Sequence, residues 1–171
     1  MEVNRCVICG RNIIGKQNRD HFIPKAIYKW SELNTDSLEY VELRSKINSR
    51  ENVIMVHVNC NTHKSDRISS IHKEFKDAQK IAELNGVKEK CKKYIDRYIH
   101  LKERLLDKQN HKCIICGSPI KTYTSVIRRK QSGLARVEAN ACLLCLDCNY
   151  KDAIKDYRLR NAVKTEDTEN N

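Results

Sequence analysis

Aromatic side chains are scarce in this chain. Phe, Trp and Tyr make up 6% of 171 residues, with a single Trp, so no large aromatic-rich core is available. There are only 5 Gly and 2 Pro. With 40% hydrophobic and 32% charged residues, the composition is that of a globular chain, more charged than average but not disordered. No long apolar run exists. The longest are a few residues, against the ~20 that a spanning helix needs. The first ten residues, MEVNRCVICG, lack the basic-then-apolar pattern of a cleaved signal peptide. A cytoplasmic location is therefore expected. At 20.0 kDa the chain has room for one ordinary domain or two small ones.

What is present is positive charge and cysteine. Lys and Arg number 33 against 22 Asp and Glu, a net charge of +11. A surplus of that size suits a polyanionic partner, most often nucleic acid. It is unevenly spread: net +2 over residues 1–60, +5 over 61–111, +6 over 112–160 and −2 over 161–171. Nine cysteines in a chain without a secretion signal argue for metal binding rather than disulfides, because the cytosol keeps thiols reduced.

The cysteines show an internal duplication. Cys6-Val7-Ile8-Cys9-Gly10 and Cys113-Ile114-Ile115-Cys116-Gly117 open two halves. Each half then has a Cys-Asn step, Cys60-Asn61 and Cys148-Asn149, and an Asn nine residues before that second Asn, Asn52 and Asn140. Three matched landmarks imply two copies of one unit. The spacer is longer in the first copy, which places an insertion around residues 26–50. Between the copies, apolar residues recur at steps of three and four from Ile68 to Ala82 and again from Val87 to Leu105, the signature of amphipathic helix. Asn85-Gly86 predicts a stop between two helices.

The second copy offers Cys113, Cys116, Cys145 and Cys148, two CxxC pairs that make a closed, structural zinc site. Cys142, three residues before Cys145, is a competing thiol or a buried strand residue. The first copy offers Cys6 and Cys9 with His57 and Cys60, since imidazole replaces thiolate readily on zinc. His57 lies five residues after Asn52, as Cys145 lies five after Asn140. His63 is the other candidate for the fourth ligand. Cys91, alone on a predicted helix, reads as a small core residue. Two structural zincs would stabilise cores that are otherwise modest.

The remaining signal is Asp20-His21-Phe22-Ile23-Pro24, a short strand running into a turn. It precedes a segment with Asn52, then Cys60-Asn61-Thr62-His63-Lys64-Ser65-Asp66. Together these residues resemble the HNH, or ββα-metal, endonuclease family over residues 6–66. The Asn-to-Asn step of nine and the Lys-Ser-Asp that follows are similar to the HNH domain of RNA-guided CRISPR nucleases. The zinc knuckle is similar to zinc-stapled restriction and phage members. The resemblance implies that His21 is a general base, that Asp20 and Asn61 hold a catalytic Mg2+ or Mn2+, and that Asn52 orients the loop and the histidine. It leaves Lys64 to hold a phosphate, and His63 as a further ligand, a phosphate contact or an exposed helix residue. Such chemistry fits phosphodiester hydrolysis, which needs an activated water and a cation on the developing charge.

Counted from the second cysteine of the knuckle, His21 aligns with Arg128 and Asp20 with Ile127. The second copy thus loses base and carboxylate and carries the basic cluster Arg128, Arg129 and Lys130, suited to a DNA backbone. The expected fold is α+β: two small zinc-stapled ββα-metal modules joined by a helical segment. The expected organisation is a nuclease module at 1–66, a helical connector at 67–111, a degenerate module at 112–160 and a disordered tail at 161–171. The expected partner is DNA, double-stranded in the first instance, with RNA left open. No membrane partner is expected. A homodimer or a protein partner through the helical segment is also left open. The rival expectations are a zinc protein that binds nucleic acid without cutting it, and a nuclease subunit active only in a larger complex.

Overall fold

A computed structural model describes residues 5–64, 68, 70–131 and 134–151. The expected tail at 161–171 and the end of the second module lie outside the described residues. The architecture is mixed: helices and two small two-stranded sheets. In chain order the elements are β1 (Gln17–His21), α1 (Ala26–Lys29), α2 (Leu38–Asn48), β2 (Val53–His57), α3 (Val58–Lys64), α4 (Ala78–Lys108), β3 (Ser125–Arg129) and β4 (Ala141–Cys145). Single 3-10 turns at Arg50–Asn52 and Glu138–Asn140 lead into β2 and β4. Helix follows β4 directly over 146–151. Among the described residues, no helix is long and apolar enough to cross a membrane.

The two halves repeat one plan. β1 pairs antiparallel with β2, Gln17 opposite His57 and His21 opposite Val53. β3 pairs antiparallel with β4 in the same register, Ser125 opposite Cys145 and Arg129 opposite Ala141. Each knuckle folds on one pattern of main-chain bonds. Cys6 N–H donates to the Arg11 carbonyl at 2.9 Å and Gly10 N–H to Cys6 at 2.8 Å; Cys113 and Gly117 repeat both, each at 2.9 Å. The insertion expected in the first copy is where α1 and α2 stand.

The equivalence corrects one sequence alignment. The knuckles are offset by 107 residues, Cys6 to Cys113, but the first strands by 108, Gln17 to Ser125. One extra residue lies between knuckle and strand in the second copy. The residue of the second copy equivalent to Asp20 is therefore Arg128, and that equivalent to His21 is Arg129. Ile127, which counting had placed opposite Asp20, is 4% exposed and belongs to the core.

The connector also differs from expectation. Residues 78–108 form one helix of 31 residues, not two. Gly86 costs roughly 1 kcal/mol within a helix. That is outweighed because the apolar stripe continues across it: Leu84, Val87, Cys91, Ile95, Tyr98, Leu101 and Leu105 are all buried. The helix starts later than the periodicity suggested, at Asp77, whose carboxylate accepts from Lys80 N–H at 2.8 Å. Ile68, Ile71 and Phe75 are not helical.

α4 is the common support. Near its start, Lys80 Nζ donates to the Glu51 carbonyl at 2.8 Å, at the turn before β2. Near its end, Arg104 and Lys108 both pair with Glu138, at the turn before β4. The Gln109 side chain then pairs with the β4 main chain, accepting from Leu143 N–H at 2.7 Å and donating to its carbonyl at 3.1 Å. Buried residues from both halves and α4 form one contiguous core, from Cys6 to Cys148. Cys91 and Cys142 are buried within helix and strand, as expected of small core residues.

Gly10 and Gly117 both sit at left-handed φ, 71° and 69°. A Cβ at Gly10 would also lie 2.2 Å from the His72 ring, whereas at Gly117 it would meet nothing within 4 Å. Gly117→Ala should then cost only the left-handed backbone penalty, about 1–2 kcal/mol. Gly10→Ala should cost clearly more. Denaturant unfolding of the metal-loaded variants checks this; equal losses would show that the His72 contact is of no consequence.

Candidate metal centres and the Asp20–His21 site

Each knuckle meets the far end of its hairpin. The ligand atoms of Cys6, Cys9, His57 and Cys60 lie within 4.8 Å of one another, and so do those of Cys113, Cys116, Cys145 and Cys148. These are groups that could hold a metal ion. Tetrahedral zinc with bonds of about 2.3 Å to sulfur and 2.0–2.1 Å to nitrogen implies ligand separations of roughly 3.5–3.8 Å. Cys116 Sγ and Cys145 Sγ are 3.8 Å apart. His57 Nδ1 is 3.4 Å from Cys9 Sγ and 3.9 Å from Cys60 Sγ. The spacing therefore suits structural zinc at both places.

His57, not His63, joins the first cluster. Its Nε2 lies 3.1 Å from the Asn12 carbonyl, so Nε2–H donates there and leaves the Nδ1 lone pair facing the thiols. His63 is an exposed residue of α3, with Nδ1 2.7 Å from the Asn59 carbonyl. Asn12 had no signal in the sequence, because its role uses only its main chain.

Without metal the thiols divide a limited number of protons. Burial opposes ionisation of Cys9, but hydrogen bonds from Arg11, Cys6 and Cys60 bring it down to about 6. Burial and the bond to Cys9 push Cys60 up to about 12. In the second cluster, hydrogen bonds from Ser118 lower Cys116 to about 6, while those with Cys145 and Cys116 push Cys148 to about 12. A metal that binds all four ligands must displace the protons held by the high members.

The Asp20–His21 pair ends β1, and the turn behind it is clamped by Asn52. Asn52 is fully buried. Its Oδ1 accepts from Ile23 N–H at 2.8 Å, its Nδ2 donates to the carbonyls of Ile23 and Ile47 at 2.9 and 2.7 Å, and its own carbonyl accepts from Phe22 N–H at 2.8 Å. Asn140 repeats the clamp on Gln131, Ala135 and Lys130. Each asparagine satisfies a turn that would otherwise bury unpaired main-chain groups.

Asp20 faces α3. Its Oδ2 lies 2.9 Å from Lys64 Nζ, and that ammonium donates to the His21 carbonyl at 2.7 Å. Lys64 is 3% exposed. It is turned inward onto Asp20, not outward as a phosphate contact would require. Asp20 Oδ2 is buried and has no aligned hydrogen bond. Asn61, half-buried, stands one turn before Lys64 on the same helix. His21 is half-buried. Burial and the nearby Lys25 lower its pKa below the ordinary value, Asp20 opposing, so the neutral ring is favoured.

In the second half Arg128 and Arg129 occupy the strand positions of Asp20 and His21. Both are half-buried, and Arg129 donates to the Leu134 carbonyl at 3.1 Å. Lys130 is exposed and donates to the Ala139 carbonyl at 3.1 Å. This cluster thus partly braces its own loop. Asn149 matches Asn61, and its amide oxygen is buried without a hydrogen bond. By the same count the residue matching Lys64 is Asp152, which lies outside the described residues. The signs at the two positions are therefore exchanged between the copies.

Comparison with known proteins gives no match to a family model, a curated protein or a solved structure.

The metal assignment has a direct check. Native mass spectrometry of the zinc-loaded chain should count two ions. Cys60→Ser and Cys148→Ser should each lose one, and His63→Ala should keep both. Retention of two ions by Cys60→Ser, or loss of one by His63→Ala, would contradict the ligand set.

Proposed function

We propose that the first half is a divalent-metal-dependent DNA endonuclease of the HNH, or ββα-metal, type, and that the second half is a related module that does not cut. The observation that carries this is local. Asp20 and His21 close one strand, a buried Asn52 clamps the turn behind them, and α3 is tied to that strand end through Lys64, one turn beyond Asn61.

The donor types suit a hard cation: the Asp20 carboxylate, whose buried Oδ2 lies against Lys64, and the Asn61 amide oxygen, one turn before that lysine. Asp20 and Asn61 would hold Mg2+ or Mn2+. When bound, such an ion neutralises charge developing on a phosphodiester. The chain supplies the rest. His21, kept neutral by burial and Lys25, takes a proton from the attacking water at a ring nitrogen. Asn52 keeps that ring in place by fixing the main chain of residues 22–23. Lys64 offsets the Asp20 charge and ties α3 to β1. The second half has arginines where base and carboxylate stand in the first, so it has no counterpart of this chemistry.

One observation favours a second reading, a zinc protein that binds DNA without cutting it. Lys64 already neutralises Asp20 from a buried position, so Asp20 is satisfied without a divalent ion.

Plasmid relaxation by the zinc-loaded protein separates the two. Nicking should require added Mg2+ or Mn2+. It should fall about 100- to 10,000-fold in His21→Ala, the range of a lost general base, and comparably in Asp20→Ala. Lys88→Gln, on the exposed side of α4, should still nick. Activity unchanged in His21→Ala would place the chemistry elsewhere. DNA binding with no nicking by the parent protein would favour the second reading.

A further inference from the structure

Resting on the nuclease reading above, we propose that Lys25, Lys29, Arg136, Arg129 and Arg128 form one cationic track. It grips the phosphate backbone of duplex DNA and leads it from the second module to His21.

The track begins beside the candidate active site. After His21 the chain makes the buried turn Phe22-Ile23-Pro24 and enters α1. Lys25 caps that helix and Lys29 lies one turn further on; both are exposed, while Ile27 and Tyr28 fill the opposite face. Like charges four residues apart weaken a short helix. The two halves then meet at Trp30, the last residue of this turn. The Arg136 guanidinium from the second half lies 5.7 Å from the Trp30 ring centre. Trp30 itself is 4% exposed. The loop carrying Arg136 is tied back to β3 and β4. Asn140 holds the Ala135 carbonyl at 3.0 Å, and Arg129 holds that of Leu134 at 3.1 Å. The main chain just before Arg136 is thereby anchored to Arg129 and Asn140.

Electrostatics agrees with that order. After burial, Lys29 is depressed by Arg136 and then Lys25. After burial, Arg136 is depressed by Arg129, with Arg128 also contributing, and only tyrosines oppose. No carboxylate figures among the principal influences on Lys29 or Arg136. Lys29 and Arg136 thus sit among like charges, a repulsion that a polyanion relieves with release of its counterions. The track presents charge and no stacking platform. Trp30 is covered by Arg136, and Tyr28 is buried. Single-strand binding relies on exposed aromatic faces, so the surface fits the backbone of a duplex. Contacts of this kind position the substrate without reading its sequence.

Fluorescence anisotropy with the full zinc-loaded chain and a short labelled DNA duplex, without added divalent cation, tests this. Lys25→Gln/Lys29→Gln/Arg136→Gln should bind at least tenfold more weakly. Its log–log salt slope should shrink by up to about 3, near 0.9 per lost phosphate contact. The control Lys88→Gln/Lys90→Gln/Lys92→Gln removes the same charge from the exposed side of α4 and should bind nearly as the parent does. Lys25→Gln/Lys29→Gln leaves Trp30 untouched, so it carries the test if Arg136→Gln disturbs folding; its slope should shrink by about 2. Equal weakening in track and control variants would overturn the proposal. So would tighter binding of single-stranded DNA or RNA than of the duplex. Parent protein that binds through the track yet never nicks would overturn the nuclease reading and leave the track standing. Track variants that bind as the parent does and still nick would do the reverse.

Discussion

Closure of four ligand atoms at the base of each hairpin is the constraint on which the rest depends. In each half the knuckle is remote in sequence from the end of its second strand, and the cluster joins them within 4.8 Å. Once joined, the strand end and the helix after it are fixed relative to the knuckle. The interior alone would do this poorly. The largest fully buried side chains include a single aromatic, Phe22; the rest are Ile, Leu and Val with Asn52 and Cys6. A bound metal adds folding free energy of a size that a small aliphatic core does not supply.

The second constraint is the asparagine clamp, and it explains how one fold carries two different sites. Asn52 and Asn140 make the same set of main-chain bonds, so residues 22–23 after β1 and residues 130–131 after β3 are held alike. Side chains at the strand ends can then change without loss of the scaffold. The first copy puts Asp20 and His21 there, and the second puts Arg128 and Arg129. A carboxylate and an imidazole suit hydrolysis; two guanidinium groups suit a phosphate backbone. α4 holds both copies through one set of contacts at each end, Lys80 to Glu51 and Arg104 and Lys108 to Glu138. The division of labour proposed here follows from that arrangement.

Much of this was legible in the residues. Cysteine spacing shows both ligand clusters that could hold a metal, because a tight turn presents two ligands at i and i+3. The nine-residue Asn-to-Asn step marks the clamps, and the unequal spacers place the α1–α2 insertion. Three features were not legible, each for a physical reason. Helix α4 runs through Asn85-Gly86 because packing on both sides of Gly86 outweighs a local propensity. The shift that puts Arg129 at the His21 position comes from a one-residue difference in an irregular segment, which only strand register exposes. The pairing of Lys64 with Asp20 and the seat of Arg136 on Trp30 span 44 and 106 residues, and no periodicity encodes such contacts.

The central claim is that cutting and holding rest on different residues: Asp20 and His21 cut, and a row of cations contributed by both halves holds. The most direct measurement is to follow duplex binding and Mg2+-dependent nicking together in Asp20→Ala/His21→Ala. The account requires nicking to vanish while affinity stays within about twofold of the parent, because the holding cations are untouched. Loss of binding along with nicking would contradict it, as would nicking that survives.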